Sequence, residues 1–455
     1  MKVDLLSGKV NRSFFLLFIS AVGSTIIQTI YSAVDMICVG HYAGAIGSSA
    51  IGCINPMWAM MFAPGVLAGV GGSVMAANRK GAGNDRSANE YFTLATFIAI
   101  FFSLLVMLAL TVFPRQLLVF FGAEDPVVLE LAVDYMKSVA IISPTFTMCA
   151  CLSTFVRNDG EALIPTVATI IGGVINMVLD VLLVFDFGFG LGVGGAGLAT
   201  SIGQAVSFFI ILGYFFTKKC GLKFVPVTRI LGKLMRILSL GISAFAIEVA
   251  FGVTSTVFNI IIIENLSTDH HAVYTTASTI TIMFYCLLNA AGTAMQPIAS
   301  QNFGAKKLTR VLSSLKIALI TAVAVGSFCF LLVELFPATV LRIYMTVNDN
   351  ILAVGPKIMQ VYMLSTPLVG FSLVASFYFQ SILKQWMSFT IAILRGLALP
   401  LLLLFTLPSI FGIESIWWCM PIAEAISFLV SLLFVIISNK GLKRSANELM
   451  TEVSV

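Results

Sequence analysis

Apolar residues dominate the chain in long runs that are interrupted only by scattered polar residues, glycines and prolines. Twelve of these runs are long enough to form membrane-spanning helices, because a helix needs roughly 20 apolar residues to cross a bilayer. The pattern therefore predicts an all-α polytopic membrane protein. The approximate limits of the runs are 13–38, 48–77, 91–112, 130–155, 162–185, 193–216, 236–264, 272–299, 311–333, 353–380, 387–408 and 415–438.

The composition supports a membrane protein and excludes several other classes. Hydrophobic residues make up 59% of the 455 residues, charged residues make up 10%, and the mean hydropathy is +1.02. A soluble domain has about 25% charged residues, so this chain cannot cover a water-facing surface. The eight cysteines show no disulfide or metal-site spacing. The sequence contains no G-x-x-x-x-G-K-[ST] phosphate-binding loop, so we do not expect ATP to be the energy source. We expect no cofactor other than a coupling ion.

The distribution of Lys and Arg predicts the orientation of the spans. If the N-terminus is cytoplasmic, the cytoplasmic connections and termini carry 21 basic residues and the outer connections carry 3. This asymmetry follows the positive-inside rule, and it explains the net charge of +5 without a nucleic-acid partner. We therefore expect a multi-pass protein of the plasma (inner) membrane with both termini in the cytoplasm.

The two halves of the chain, each with six spans, resemble each other. At an offset of about 223 residues, Ile19–Ala21 matches Ile242–Ala244, and Gly81-Ala82 matches Gly304-Ala305. Because six is an even number, both halves have the same orientation, as in secondary transporters whose two lobes alternate access to a central cleft. We predict two pseudo-symmetric six-helix lobes. The predicted boundaries are 1–216 for the first lobe, 217–235 for a basic cytoplasmic linker, and 236–455 for the second lobe with a short cytoplasmic tail.

Polar residues inside the spans of the first half define the main candidate site. Asn176 and Asp180 lie one helical turn apart on one face of the otherwise apolar fifth span. A polar stripe of span 1, which includes Gln28 and has Tyr31 beside it, ends at Asp35. A charge inside the membrane is expensive and is rarely without a function.

We predict that Asp35 and Asp180 meet and bind the coupling cation. Two carboxylates that lie close together cannot both ionise cheaply, so such a pair can hold a proton. With Asn176 and Thr200 as neutral oxygen ligands, the pair can instead hold Na⁺. The alternative is that each Asp only hydrogen-bonds a neighbouring helix.

The second half carries a different set of polar residues. Span 7 has Glu248 with Ser255 and Asn259 on the same face, and this glutamate is either functional or a structural carboxylic acid. Arg395 in span 11 and Glu424 in span 12 pair either with each other or with Glu248. The positions equivalent to Asp35, Asn176 and Asp180 are apolar, which confines ion coupling to the first lobe. Those equivalents are Phe258, Leu399 and Leu403.

Two further patterns complete the list of candidates. Met57 and Met61 belong to a dense Met, Trp and Phe cluster in span 2, which is a candidate lining for a substrate cleft because Met forms adaptable apolar surfaces. We attribute the glycines between Gly188 and Gly197 to a tight turn and close helix packing.

The set of these motifs, in this order, resembles the multidrug and toxic compound extrusion (MATE) family. The resemblance implies a V-shaped pair of six-helix lobes that exports amphipathic, often cationic compounds in exchange for H⁺ or Na⁺. It is nearest to the branch with an acidic pair in the N-lobe, and this implies coupling roles for Asp35, Asn176, Asp180 and Thr200. Glu248 matches a glutamate of another branch, whose span-10 acid is absent here. The residues that carry the resemblance are Tyr31-Ser32-Ala33-Val34-Asp35, Asn78 to Gly83, Arg157-Asn158-Asp159-Gly160, Asn176 to Asp180 and Gly194 to Thr200.

We therefore predict a cation-coupled multidrug antiporter that works as a monomer among membrane lipids. A flippase of lipid-linked saccharides is the alternative, but it needs a strongly cationic cavity, and Arg395 is the only basic residue deep in a span. A second alternative is a membrane-embedded enzyme, which would need a nucleophile–base pair or a His/Asp metal cluster inside the membrane. A third is a receptor or scaffold, which transport of any solute would exclude. Candidates for substrate binding or secondary coupling are Gln28, Tyr31, Glu248, Ser255, Asn259, Arg395, Met57 and Met61.

Overall fold

A computed structural model describes residues 3–121, 123, 125–344 and 349–453, which form helices joined by turns. Lys2, which the charge count includes, lies outside this range. Twelve helices of the described residues are long and apolar enough to cross a membrane, which confirms the predicted all-α architecture and every predicted span. They are α1 (Val10–Gly44), α2 (Ser49–Gly81), α3 (Asp85–Val112), α4 (Pro126–Asn158), α5 (Leu163–Val184), α6 (Gly192–Tyr214), α7 (Ile230–Asn265), α8 (Asp269–Gly304), α9 (Leu308–Leu335), α10 (Asp349–Ser381), α11 (Gln385–Phe411) and α12 (Ile413–Leu442).

Most helices are longer than the apolar runs that predict them. For example, the run ending at 77 belongs to α2, which continues to Gly81 and carries Arg79 and Lys80 in its last turn. Hydrophobicity marks the stretch that lies in the hydrocarbon, whereas backbone hydrogen bonding continues the helix into the interface. The apolar runs therefore gave the number and place of the helices but not their ends.

Several irregular segments interrupt the helices. Gly44 separates α1 from α2 with φ 64° and ψ −147°, a conformation that only glycine adopts readily. Short helices at Pro114–Phe120 and Pro337–Tyr344 follow α3 and α9. In α11, a π-helical turn at Leu394–Ala398 precedes Pro400, whose missing N–H cannot continue a regular hydrogen-bond ladder.

The chain forms two compact units. The first consists of the described part of Met1–Asp4 and Ile19–Phe245, and the second consists of Leu5–Phe18 and the described part of Ala246–Val455. The first unit has a core that includes Ile54, Met61 and Tyr135. The core of the second unit includes stacked rings of Phe258 and Tyr274, whose centroids are 4.7 Å apart. Each unit therefore buries its own apolar core.

The connection between α6 and α7 lies along α3 within the first unit. The backbone N–H groups of Lys223 and Val225 donate to Asn89 Oδ1 and Thr93 Oγ1 at 3.0 and 3.1 Å. Phe224 packs on Phe92, and Lys233 in the first turn of α7 forms an ion pair with Glu90. This basic connection is thus a docked strap and not a free loop. Its contacts on α3 come from Asn89, Glu90, Phe92 and Thr93.

Candidate functional site

The polar residues predicted for the first half converge inside the first unit. Asp35 projects from α1, Asn176 and Asp180 from α5, and Thr200 from α6. All four are buried, and Asp180 is 0% exposed. The carboxylates of Asp35 and Asp180 lie close enough for direct electrostatic interaction. The structure therefore brings together the four residues that the sequence singled out.

A chain of hydrogen bonds connects the two carboxylates. Tyr135 of α4 donates its hydroxyl proton to Asp35 Oδ2 at 3.0 Å, and its oxygen lies 3.2 Å from Thr200 Oγ1. Asn176 Nδ2 donates to Thr200 Oγ1 at 3.2 Å and approaches Asp180 Oδ1 at 3.5 Å. Because Tyr135 uses its proton on Asp35, Thr200 must donate to Tyr135. Along this series of hydrogen bonds, Asn176 donates to Thr200, Thr200 donates to Tyr135, and Tyr135 donates to Asp35.

Three oxygens of this site are buried and have no hydrogen-bond partner among the described residues. They are Asp35 Oδ1, Asn176 Oδ1 and Asp180 Oδ2. A buried polar atom that makes no hydrogen bond costs about 1–3 kcal/mol, and the cost is larger for a charged group. Three such atoms in one cluster are the arrangement expected of a site that binds a further proton or cation.

Close packing of α5 on α6 positions Asn176 and Thr200. A Cβ atom on Gly172 would lie 2.0 Å from Ser207 Oγ and 2.4 Å from the Gly203 carbonyl oxygen. A Cβ atom on Gly197 would lie 2.3 Å from the Tyr135 carbonyl oxygen, so α6 also packs directly on the backbone of α4. Close helix packing was the predicted role of the glycines that open α6.

The donor set fits a proton or a small hard cation. The free positions are carboxylate and amide oxygens, which suit hard cations and not soft transition metals. Among the described residues, no group of three or more His, Cys, Asp and Glu side chains could hold a metal ion. The two carboxylates provide the negative charge, and Asn176 and Thr200 provide neutral oxygens.

Tyr31 and Gln28 lie on α1 near the site but differ in exposure. The ring of Tyr31 packs against Gly173, where an added Cβ would lie 2.8 Å from Tyr31 Cδ1, and Tyr31 interacts electrostatically with Asp35. Gln28 is exposed at the surface. Tyr31 therefore borders the acidic cluster, whereas Gln28 is not part of the buried network.

The structure places Met57 and Met61 in the core of the first unit, where they are 1% and 0% exposed. The two residues are four apart and share one face of α2, and that face is directed into the unit. Neither side chain lines an open surface in this structure. Trp58, Met60 and Phe62 of the same stretch keep partial exposure.

In the second unit, Arg395 pairs with Glu424. The Arg395 guanidinium donates to Glu424 Oε1 at 2.8 Å and lies 5.8 Å from the ring centroid of Tyr285. Both charged side chains are buried, and the guanidinium projects from the π-helical turn of α11. Of the two pairings left open by the sequence, the structure shows the one between these two residues.

The remaining candidates of the second unit lie on α7 without forming one site. Glu248 is exposed, and within the described residues no hydrogen bond or ion pair reaches its carboxylate. Ser255 lies beside Tyr274. Asn259 Oδ1 lies 3.1 Å from His271 Nε2. In the predicted orientation, Asn259 lies near the outer end of α7.

Tyr135 is the residue of the site that the sequence did not predict. A tyrosine in an apolar run usually packs in the core with its hydroxyl on a nearby acceptor, and nothing in the sequence distinguishes this one.

Comparison with known families identifies the class of protein. The family model MatE matches residues 21–182 and 234–405, so the same model matches both halves. Together with twelve spanning helices, this match defines a polytopic membrane transporter, and the chain belongs to the multidrug and toxic compound extrusion (MATE) family. Because this is a transporter family, the expectation that the chain is not an enzyme is confirmed.

Two curated relatives and two solved structures illustrate the similarity. The multidrug export protein MepA of Staphylococcus haemolyticus strain JCSC1435 is 24% identical over 90% of both chains. MepA of Staphylococcus aureus strain N315 is 25% identical over 94% of this chain and 93% of its own.

The solved structures establish the fold. An outward-facing MATE transporter of the MOP superfamily has a TM-score of 0.88 and 20% identity, over 97% of this chain and 98% of its own. A MOP superfamily transporter from Pyrococcus furiosus, described as having a binding pocket of reversed polarity that suggests a different function, has a TM-score of 0.86 and 21% identity over 96% and 98%.

Proposed function

We propose that this protein exports amphipathic, often cationic organic compounds across the plasma membrane in exchange for H⁺ or Na⁺. The family and the similarity to relatives named as multidrug export proteins support the export of drugs. The single observation that supports cation coupling is the cluster of buried oxygens on Asp35, Asn176 and Asp180 that have no hydrogen-bond partner in the described part of the chain.

In this mechanism, the coupling cation enters the site from outside and satisfies those oxygens. A ligand shifts a conformational equilibrium only by its difference in affinity for the two states. Binding of a cation therefore stabilises the state in which the oxygens converge, and the drug is bound in the other state. Tyr135, Thr200 and Asn176 hold the two carboxylates at fixed separation through their hydrogen bonds.

The identity of the coupling ion is tested in proteoliposomes under separately imposed gradients. A proton-coupled protein accumulates or releases ethidium in response to a pH gradient in sodium-free buffer, and a sodium-coupled protein responds to a Na⁺ gradient at constant pH. A response to neither gradient would contradict cation coupling. Transport of a lipid-linked saccharide under those conditions would favour the flippase.

Substitution of Asp180 by Asn tests the acidic site itself. Asp180→Asn removes one charge while nearly preserving shape, and we expect at least a tenfold loss of gradient-driven efflux. Glu130→Gln is a matched control, because Glu130 forms an exposed pair with Arg115 and such surface pairs contribute little. Undiminished efflux in a correctly inserted Asp180→Asn protein would remove the site from the mechanism.

A further inference from the structure

A groove of about 450 Å³ lies between the end of α6 and the start of α5, outside the acidic site. Its walls are apolar and come from Leu163, Ile164 and Val167 of α5 and from Ile210 of α6. This volume is within the range of small-molecule sites, which is roughly 300–1,000 Å³. None of its lining residues belongs to the acidic cluster, so the groove is a separate candidate site.

The apolar wall continues along α5 beyond the groove. Leu163, Val167, Val174 and Val178 are all exposed, at 45–54%, and their spacing places them on one helical face. From Leu163 to Val178 this face is about 22 Å long, at roughly 1.5 Å per residue. It therefore matches the length of a lipid acyl chain that lies along the helix.

The mouth of the groove is cationic and polar. Lys218 and Lys219, which follow α6, line it together with Tyr214 and Thr217. Glu161 also reaches the wall, but it is only 2% exposed, so the accessible charge at the mouth is positive. The basic residues predict this end of the helices to be cytoplasmic, where lysines lie at the depth of lipid headgroups.

We propose that this groove binds one anionic phospholipid, with its phosphate at Lys218 and Lys219 and an acyl chain along the exposed face of α5. Three features support this occupant and not a soluble anion: the apolar wall, its continuation towards the membrane interior and the cationic mouth. Basic pockets between spanning helices on the cytoplasmic side are suited to anionic headgroups. The proposal does not depend on which ion drives transport.

Native mass spectrometry of the intact protein in detergent tests the proposal. The protein is titrated with dioleoyl phosphatidylglycerol, with dioleoyl phosphatidylcholine and with inorganic phosphate. We expect one tightly bound phosphatidylglycerol and weaker phosphatidylcholine. The double substitution Lys218→Ala and Lys219→Ala should weaken phosphatidylglycerol about 30-fold, from the usual contribution of two lysines near an anionic lipid surface.

The double substitution Lys223→Ala and Arg236→Ala is the matched control. It removes the same charge from exposed residues near the same connection, but neither residue lines the groove, so phosphatidylglycerol affinity should stay within about twofold. Equal affinity for the two lipids, an equal loss in both double variants, or displacement of the lipid by inorganic phosphate would each overturn the proposal.

Discussion

The hydroxyl group of Tyr135 joins the two halves of the acidic site. It is the only described contact between the Asp35 carboxylate and the α4–α6 part of the network, because it donates to Asp35 and receives the proton of Thr200. A hydrogen bond to a charged group contributes about 1.5–3 kcal/mol to stability. This one hydroxyl therefore affects both the position of Asp35 and the ease with which it accepts a proton.

Substitution of Tyr135 by Phe tests this role. We expect Tyr135→Phe to leave insertion intact, because the ring still packs in the core, but to lower gradient-driven efflux about fivefold or more. The measurement is ethidium efflux at several external pH values. The control is Tyr378→Phe, which removes a buried hydroxyl that donates to Asn439 of the second unit. Equal effects of the two substitutions would indicate that only general stability is affected.

The sequence predicted four members of this site, Asp35, Asn176, Asp180 and Thr200, and missed Tyr135 for a physical reason. A carboxylate or an amide in an apolar run is costly, so Asp35, Asn176 and Asp180 stand out. Burial of a tyrosine in the membrane is less costly, because most of its side-chain surface is apolar. Its hydroxyl becomes informative only when the folded chain shows which acceptor it reaches.

At the scale of helices, the α5–α6 pair determines the geometry of the site. Gly172 and Gly203 face each other, and an added Cβ on Gly203 would lie 2.6 Å from the Gly172 carbonyl oxygen and 2.9 Å from Asn176 Cβ. The backbones therefore touch one turn from the network. Any side chain at this contact separates the two helices and moves Thr200 away from Asn176.

Gly172→Ala should therefore impair transport as well as stability. Overpacking of a tight contact costs about 1–3 kcal/mol, and we expect a lower Tm together with loss of efflux. Gly213→Ala on α6 is the control, because nothing lies within 4 Å of its added Cβ. Alanine there should raise helix stability by about 0.5–1 kcal/mol. Normal efflux by Gly172→Ala would show that the network tolerates separation of the helices.

The π-helical turn of α11 is the counterpart feature of the second unit. It carries Arg395, whose buried pair with Glu424 lies on the equivalent helix pair, α11 and α12. The sequence indicated two charges in the membrane, but it could not indicate a change of helical pitch. A π-helical turn widens the helix by about one residue, and its residues have no distinctive composition. The nearby Pro400 is the one sequence feature that accompanies it.

A double-mutant cycle measures what this ion pair contributes. Removal of one partner from a buried pair costs about 3–5 kcal/mol, so Arg395→Met and Glu424→Leu should each lower Tm strongly. The double variant should recover most of the loss, since it leaves no unpaired charge. If the double variant is stable but inactive, the pair serves transport; if it is stable and active, the pair is structural.

At the scale of the whole molecule, two similar halves carry different chemistry. One family model matches both halves, yet the acidic cluster occurs in the first, and the positions that the sequence repeat predicts to be equivalent in the second are Phe258, Leu399 and Leu403. The sequence alone was enough to predict all twelve spans, because membrane thickness imposes a length that composition reveals. The Gly44 break and the two short helices depend on backbone geometry, which composition does not record.

Topology reporters test the predicted orientation of the twelve spans. Green fluorescent protein fused after the last residue should fluoresce, and alkaline phosphatase inserted between Gly188 and Phe189 should be active, because the first reporter folds in the cytoplasm and the second folds outside it. The reciprocal pair of fusions, with the two reporters exchanged, should give neither signal. If only the exchanged pair of fusions gave signals, every span would have the opposite orientation, and the positive-inside prediction would be wrong.

The strap along α3 has a consequence for how the protein is made. Asn89, Glu90 and Thr93 precede the strap by more than a hundred residues, as the separations of 132 to 143 between bonded residues show. During synthesis from the N-terminus, the docking surface is therefore already in place when the strap leaves the ribosome. The first half can thus receive the strap before the second half exists, and the start of α7 is placed by the part of the protein that is already built.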